Sequence, residues 1–211
     1  MKLKWIVLSG ASGVLAVLLA FLLSAHGGNA ISSSPFIALS SVSVPEMPAK
    51  AAELVQAAAA SDREQTAQAV LRAVSVIARP GVLPYVVSAI CRGNPEAAGS
   101  AVATAIELQP QPEDVLIFSQ AALWAAPGQV EQVVFSACKA APRSCADVAL
   151  VASRQLSSAN DLILAGLAGA RPDLKPYLEA AEIQAGPDDG EAIIKRAVQL
   201  FNKDASQAQA K

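Results

Sequence analysis

The sequence predicts an all-α fold: a stack of antiparallel helix hairpins, an α-solenoid of about ten helices of about 15 residues each, behind an N-terminal signal or anchor segment. Three observations predict it. Proline recurs at Pro80, Pro95, Pro112, Pro127, Pro142, Pro172 and Pro187, with Ser158 in the one missing slot. Alanine, the strongest helix former, makes up about a fifth of the 211 residues, whereas aromatics are only 4 %, which disfavours sheet. Between prolines the apolar residues recur in steps of three and four, the spacing that puts side chains on one face of a helix.

Residues 1–30 read as an export signal. Lys2 and Lys4 form a basic start, and Trp5 to Ala25 carries no charge. Ala25-His26-Gly27 and Gly28-Asn29-Ala30 each offer a small-x-small cleavage site. The apolar run is also long enough to stay as an anchor, so contact with a membrane is expected only through residues 5–25, and only if the signal is uncleaved. Either outcome puts the body outside the cytoplasm, in the periplasm or at the cell surface. Residues 31–47, rich in Ser and Pro, read as a linker, although Phe36, Ile37 and Leu39 could pack. The helical-repeat domain spans residues 48–202, and residues 203–211 read as a frayed polar tail.

Within the repeat domain the first helix runs from about Pro48 to Ala60. The second starts at Ser61-Asp62-Arg63-Glu64, which fits a capping box. From there prolines mark the starts, since proline suits the first helical position and not the interior. With each proline at position zero, apolar residues fall at +3, +6, +7, +10 and +11. After Pro95 these are Ala98, Ala101, Val102, Ala105 and Ile106; after Pro127 they are Val130, Val133, Val134, Ala137 and Cys138. After Pro112 the set is Val115, Phe118, Ser119, Ala122 and Leu123. Acids follow several of the prolines (Glu96, Glu113, Asp114, Asp173, Asp188 and Asp189), where the helix dipole favours them. Gly166 and Gly169 lie in a strongly apolar helix and favour close approach of a neighbour.

A longer echo sets the register. Arg79-Pro80-Gly81-Val82-Leu83-Pro84-Tyr85-Val86 is matched 92 residues later by Arg171-Pro172-Asp173-Leu174-Lys175-Pro176-Tyr177-Leu178, and these hold the chain's two tyrosines. The offset equals six helical units, or three hairpins. Over residues 48–202 the chain resembles α-solenoid repeat proteins such as the tetratricopeptide and HEAT classes. It lacks the tetratricopeptide Trp, Leu-Gly, Tyr and Ala consensus, and its period is shorter than either class. The resemblance implies an architecture and a tendency to bind partners, and carries no site residues over.

Several function classes are excluded or left without support. The net charge of −2 becomes −4 once residues 1–30, with their two lysines and no acid, are removed, so the body has no basic stripe for nucleic acid. His26 is the only histidine, which leaves the body without imidazole for Ser-His-Asp or Cys-His catalysis or for most zinc sites. No nucleotide-binding or nucleophile-elbow motif occurs, and Asp188-Asp189-Gly190-Glu191 lacks the alternating spacing of a calcium loop. No enzyme and no cofactor is expected. Cys138 and Cys145 flank one helix–helix turn and form the candidate disulfide, or else fill core slots as Cys91 does. Trp124, at a helix end, either covers a junction or offers a partner-binding aromatic; Tyr85 and Tyr177 are expected to pack on the adjacent hairpin. The expected function is a non-catalytic scaffold or protein-binding module of the cell envelope. The alternative is a small-ligand or lipid carrier with an apolar cavity between hairpins.

Overall fold

A computed structural model describes residues 34–78, 80–186 and 189–209, and these form one compact unit that begins at Ser34. Among the described residues all regular structure is helical. The α-helices are α1 (Pro35–Ser40), α2 (Met47–Ala57), α3 (Arg63–Ile77), α4 (Leu83–Gly93), α5 (Ala98–Leu108) and α6 (Pro112–Ala125). They continue as α7 (Val130–Ala140), α8 (Cys145–Gln155), α9 (Asn160–Ala170), α10 (Lys175–Ala185) and α11 (Gly190–Gln209). The expected signal at residues 1–30 lies outside the described residues, and no described helix is long and apolar enough to cross a membrane.

The proline rule holds with a refinement. Proline opens a single 3-10 turn (Pro80–Val82, Pro95–Ala97, Pro127–Gln129, Pro142–Ser144), and the α-helix follows; Pro35 and Pro112 start an α-helix directly. One residue joins consecutive helices. The Ala141 N–H donates to the Ala137 carbonyl at 2.8 Å and closes α7, while its own carbonyl accepts from Ser144 N–H at 3.0 Å and opens the next turn. Asn94, Ala126, Leu156 and Arg171 do the same at their junctions. All five sit between φ −126 and −144 with ψ 58 to 77. A following proline disfavours the helical region for the residue before it, which breaks each helix at that point. Leu156 keeps the geometry without a proline, and its turn runs Ser157–Ala159. The missing proline slot is therefore Ser157, not Ser158.

Three further expectations are corrected. The segment 31–47 contains helix α1, which buries Leu39 and packs on α3. The polar tail is helical to Gln209, continuing α11. The capping box at Ser61 does not form: Ser61 lies inside the 3-10 turn Ala60–Asp62 and its hydroxyl donates to Asp62 Oδ1 at 2.9 Å.

Burial follows the +3, +6, +7, +10, +11 pattern through the middle of the chain. All fifteen residues that the pattern assigns after Pro95, Pro112 and Pro127 are buried. Each helix packs most extensively on the next but one: α2 on α4 and α4 on α6; α3 on α5, α5 on α7 and α7 on α9. The second series is close because glycine faces it. A Cβ on Gly166 would lie 2.6 Å from the Glu131 carbonyl oxygen, and one on Gly99 would lie 2.7 Å from Gln132 Cγ.

The alternation ends at the C-terminus. Helix α11 packs on both α8 and α10, taking the place at α8 that the series would give to α10. The pattern positions of α10 explain why: Lys175, Glu179, Glu182 and Ile183 occupy +3, +7, +10 and +11 and are exposed. With only Leu178 of that stripe buried, the segment also buries Leu174, just before α10, and Ala181 on the neighbouring face.

Candidate functional site

The positions +2, +5, +9 and +12 after Pro80 and after Pro112 lie on a helix face that the stack does not bury. On α4 and its leading turn they are Val82, Tyr85, Ala89 and Arg92; on α6 they are Asp114, Ile117, Ala121 and Trp124. The two helices pack side by side. Tyr85 is 70 % exposed, Ile117 44 % and Trp124 76 %. On α8 the same face is more polar, with exposed Asp147 and Arg154. The apolar outer face is therefore a property of α4 and α6, not of the whole repeat.

Trp124 thus does not cover a helix junction. It stands at the end of α6, where its indole N–H donates to the Gln155 amide oxygen at 3.2 Å when that oxygen is turned toward it. One hydrogen bond orients the ring and leaves most of its surface free. Tyr85 corrects the expectation that its ring packs on the next hairpin. It borders a cleft of about 510 Å³ walled by Val44, Pro45 and Pro48 on one side and Val82, Ala89 and Arg92 on the other. Tyr177 does pack: its ring meets Phe201 of α11 edge-on at 5.6 Å, and its hydroxyl donates to Asp204 Oδ2 at 3.1 Å. That bond to a carboxylate raises the phenol pKa above its ordinary 10.

A second cleft, of about 440 Å³, is polar and is lined by Glu64, Glu96, Ser100, Gln129, Gln132 and Ser136. Beside it Arg63 pairs with Glu96 at 2.6 Å and holds that carboxyl below its usual range. A third, of about 310 Å³, lies between α8, the turn that precedes α10, and α11, with Cys145, Arg143, Arg171 and Phe201 on its wall. Arg171 grips Asp173 through two hydrogen bonds of 2.9 and 2.6 Å and donates to the Pro142 carbonyl at 3.2 Å. Its counterpart in the echo, Arg79, lies outside the described residues.

The two candidate disulfide cysteines are brought together, one on each side of the Pro142–Ser144 turn. Both are buried, and their thiols are free in this structure. Cys138 Sγ donates to the Cys145 carbonyl at 3.6 Å, and hydrogen bonding with Cys145, together with burial, pushes the Cys138 thiol pKa far up. Cys91 fills a core slot, and burial raises its pKa to about 12, so neither Cys91 nor Cys138 is an activated nucleophile. In the acidic run, Asp189 accepts from Ala192 N–H at 2.9 Å as the helix cap and Glu191 pairs with Arg154 and Lys195; Asp188 lies outside the described residues.

No protein-family model, curated protein or solved structure matches this chain. The residues that sequence reasoning missed are Val82, Ile117 and the exposed role of Tyr85. Their signal was in the period itself: bulky apolar residues at +2 and +5, outside the set the stack buries.

Proposed function

We propose that this chain is a non-catalytic scaffold of the cell envelope, an α-solenoid that binds a protein partner through the outer face of α4 and α6. The observation that carries the reading is the row of exposed apolar side chains, Tyr85, Ile117 and Trp124, on two helices packed side by side. A large aromatic left in water on a rigid helix is the usual anchor of a protein interface. The packing of each helix on the next but one supports the solenoid architecture. The apolar N-terminal run supports export, and a body without histidine supports the absence of acid–base catalysis.

Photo-cross-linking from positions 85, 117 and 124 in intact envelopes tests the reading. A reproducible protein adduct at 117 and 124 that is missing from the α8 control position 147 is the expected result. Cross-links to lipid alone, with lipid retained in a native mass spectrum, would replace the scaffold with the carrier. Export is checked separately. Against a low-molecular-weight disulfide as oxidant, Cys138 and Cys145 are expected to give up two protons and two electrons and close as a disulfide. Denatured protein from the envelope should then expose one free thiol, Cys91, instead of three.

A further inference from the structure

The chain carries two copies of one helix face, and among the described residues only one of them is covered. In the first copy, Val82, Tyr85, Ala89 and Arg92 border the cleft completed by Val44 and Pro45. In the second, the residues 92 positions later are Leu174, Tyr177, Ala181 and Gln184. Helix α11 lies on them: Phe201 meets the Tyr177 ring, Asp204 accepts from its hydroxyl, and Arg196 Nε donates to Gln184 Oε1 at 3.4 Å. Position by position the burial differs. Val82 and Ala89 are half-buried where Leu174 and Ala181 are buried, and Tyr85 is exposed where Tyr177 is half-buried.

We infer that the cleft at Tyr85 is a docking site for an amphipathic helix of a partner protein, one that presents an aromatic side chain to Tyr85 and a carboxylate one turn further on. The helix α11 on α10 is the template. Its Phe201 and Asp204, three residues apart, lie on one face and engage the ring and the hydroxyl of the same tyrosine. A helix running as α11 does reaches position +12 five residues before its aromatic. That position is Gln184 in the covered copy, facing Arg196, and Arg92 in the open one. Charge complementarity at Arg92 therefore asks for an acid where α11 has Arg196. The partner helix reads acid, four residues, aromatic, two residues, acid. The chain's own residues 1–33 contain no Asp or Glu and cannot supply it. The α11 of a second copy has Phe201 and Asp204 already engaged and brings arginine to arginine. This inference rests on the protein-binding reading above and adds the site and the chemistry of the partner.

The probe is a capped synthetic peptide of residues 190–209 carrying Arg196→Glu, titrated into the full chain and followed by NMR or fluorescence anisotropy. It should bind about fivefold or more tightly than the unaltered peptide, since a like-charge contact at Arg92 becomes an opposite-charge one. Tyr85→Ala in the chain, or Phe201→Ala in the peptide, should each weaken it by about tenfold or more, as removal of an interface anchor does. Tyr85→Phe keeps the ring and should lose only the two- to threefold owed to the hydroxyl, roughly. No binding at about 1 mM peptide, the weakest affinity worth the name of a site, overturns the inference. So does binding that Tyr85→Ala leaves unchanged, because the peptide is then exchanging with α11 at Tyr177. Self-association of the chain that Phe201→Ala abolishes overturns it in favour of a second copy. The scaffold reading fails on different evidence, the loss of protein adducts at 117 and 124, so the two outcomes are separable.

Discussion

The Tyr85 and Tyr177 regions share one Arg-Pro-x-x-x-Pro-Tyr frame and end in opposite situations. Around Tyr85 the helix α4 gives its +3, +6, +7, +10 and +11 residues, Leu83, Val86, Val87, Ile90 and Cys91, to the stack and leaves the neighbouring face open. Around Tyr177 those slots hold Lys175, Leu178, Glu179, Glu182 and Ile183, and of these only Leu178 is buried. Ile183 is 87 % exposed. Helix α10 cannot serve as an interior layer, so it turns its second face inward and α11 closes over it. An interior face left at the end of the packed helices would be an apolar surface in water. The difference teaches that one motif can be a covered seat or an open one. The choice is made by four residues on the adjacent face of the same helix.

The largest test of that comparison is to truncate the same slot in both copies. Leu174 is buried beneath α11, and Leu174→Ala is expected to cost about 2–4 kcal/mol in urea unfolding, the usual range for emptying a leucine site. Val82→Ala removes two carbons from a half-buried side chain and should cost less than about 1 kcal/mol. Equal losses would mean that the two faces are packed alike, and the comparison would fall.

The aromatic pair gives the next largest effect. Phe201→Ala removes a half-buried ring and its edge contact with Tyr177, for an expected loss of about 1–2 kcal/mol. Tyr85→Ala, at a ring that the described residues leave exposed, is expected to stay within about 0.5 kcal/mol of the parent. Thermal melts of the two variants, taken together, read directly whether the first copy is an empty version of the second. A Tyr85→Ala variant that unfolds as readily as Phe201→Ala would show that this residue is structural.

The all-helical fold was legible in the sequence because it depends on local rules. A proline breaks a helix at the residue before it, and a stripe at steps of three and four selects the buried face, so Val130, Val133, Val134, Ala137 and Cys138 were assigned to the core from spacing alone. The start at Pro35 was less legible, since a six-residue helix has too few positions to display a period, and Leu39 is buried by contact with a helix more than twenty residues away. Ser157 was misplaced by one because serine, unlike proline, does not fix its own backbone angle or that of its predecessor. The outer face was the least legible. Tyr85 and Tyr177 share the Arg-Pro-x-x-x-Pro-Tyr frame, and whether each is covered depends on where a helix some twenty residues downstream is placed. That placement follows from a polar stripe on α10, which is visible only when the stripe is compared with those of the other units.

Acid should loosen the covered copy. Glu191, in the first turn of α11, receives two hydrogen bonds from Arg154 of α8 at 3.1 and 2.8 Å and pairs with Lys195 at 2.6 Å. Those partners lower its carboxyl pKa from 4.5 to about 2. A folded pKa below the unfolded one means that the stabilisation is complete above about pH 4.5 and is lost as pH falls from there toward about 2. The pair is exposed, so the effect is small and screened by salt. Glu191→Gln should slightly lower the melting temperature at pH 7 and flatten its decline across that window at low ionic strength. An unchanged acid slope would mean that Arg154 does not help to seat α11.

The smallest effect is spectroscopic and addresses the tyrosines themselves. Tyr177 donates to the Asp204 carboxylate, and forming the phenolate there would place two negative charges together and lose the donated proton. Its pKa is therefore above 10, and the bond's contribution is present below the unfolded phenol's pKa and lost as pH rises through the folded one. Absorbance titration at 295 nm should show one phenol ionising late, and the late phase should vanish in Tyr177→Phe and move down in Asp204→Asn. If the docking inference is right, the acidic peptide should create a second late phase. Bound peptide puts its own carboxylate against Tyr85 and should delay that phenol as Asp204 delays Tyr177. Persistence of a single late phase at saturating peptide would mean that the partner helix does not repeat the contact of Asp204, and would break the equivalence of the two sites at the hydroxyl even where the ring is engaged.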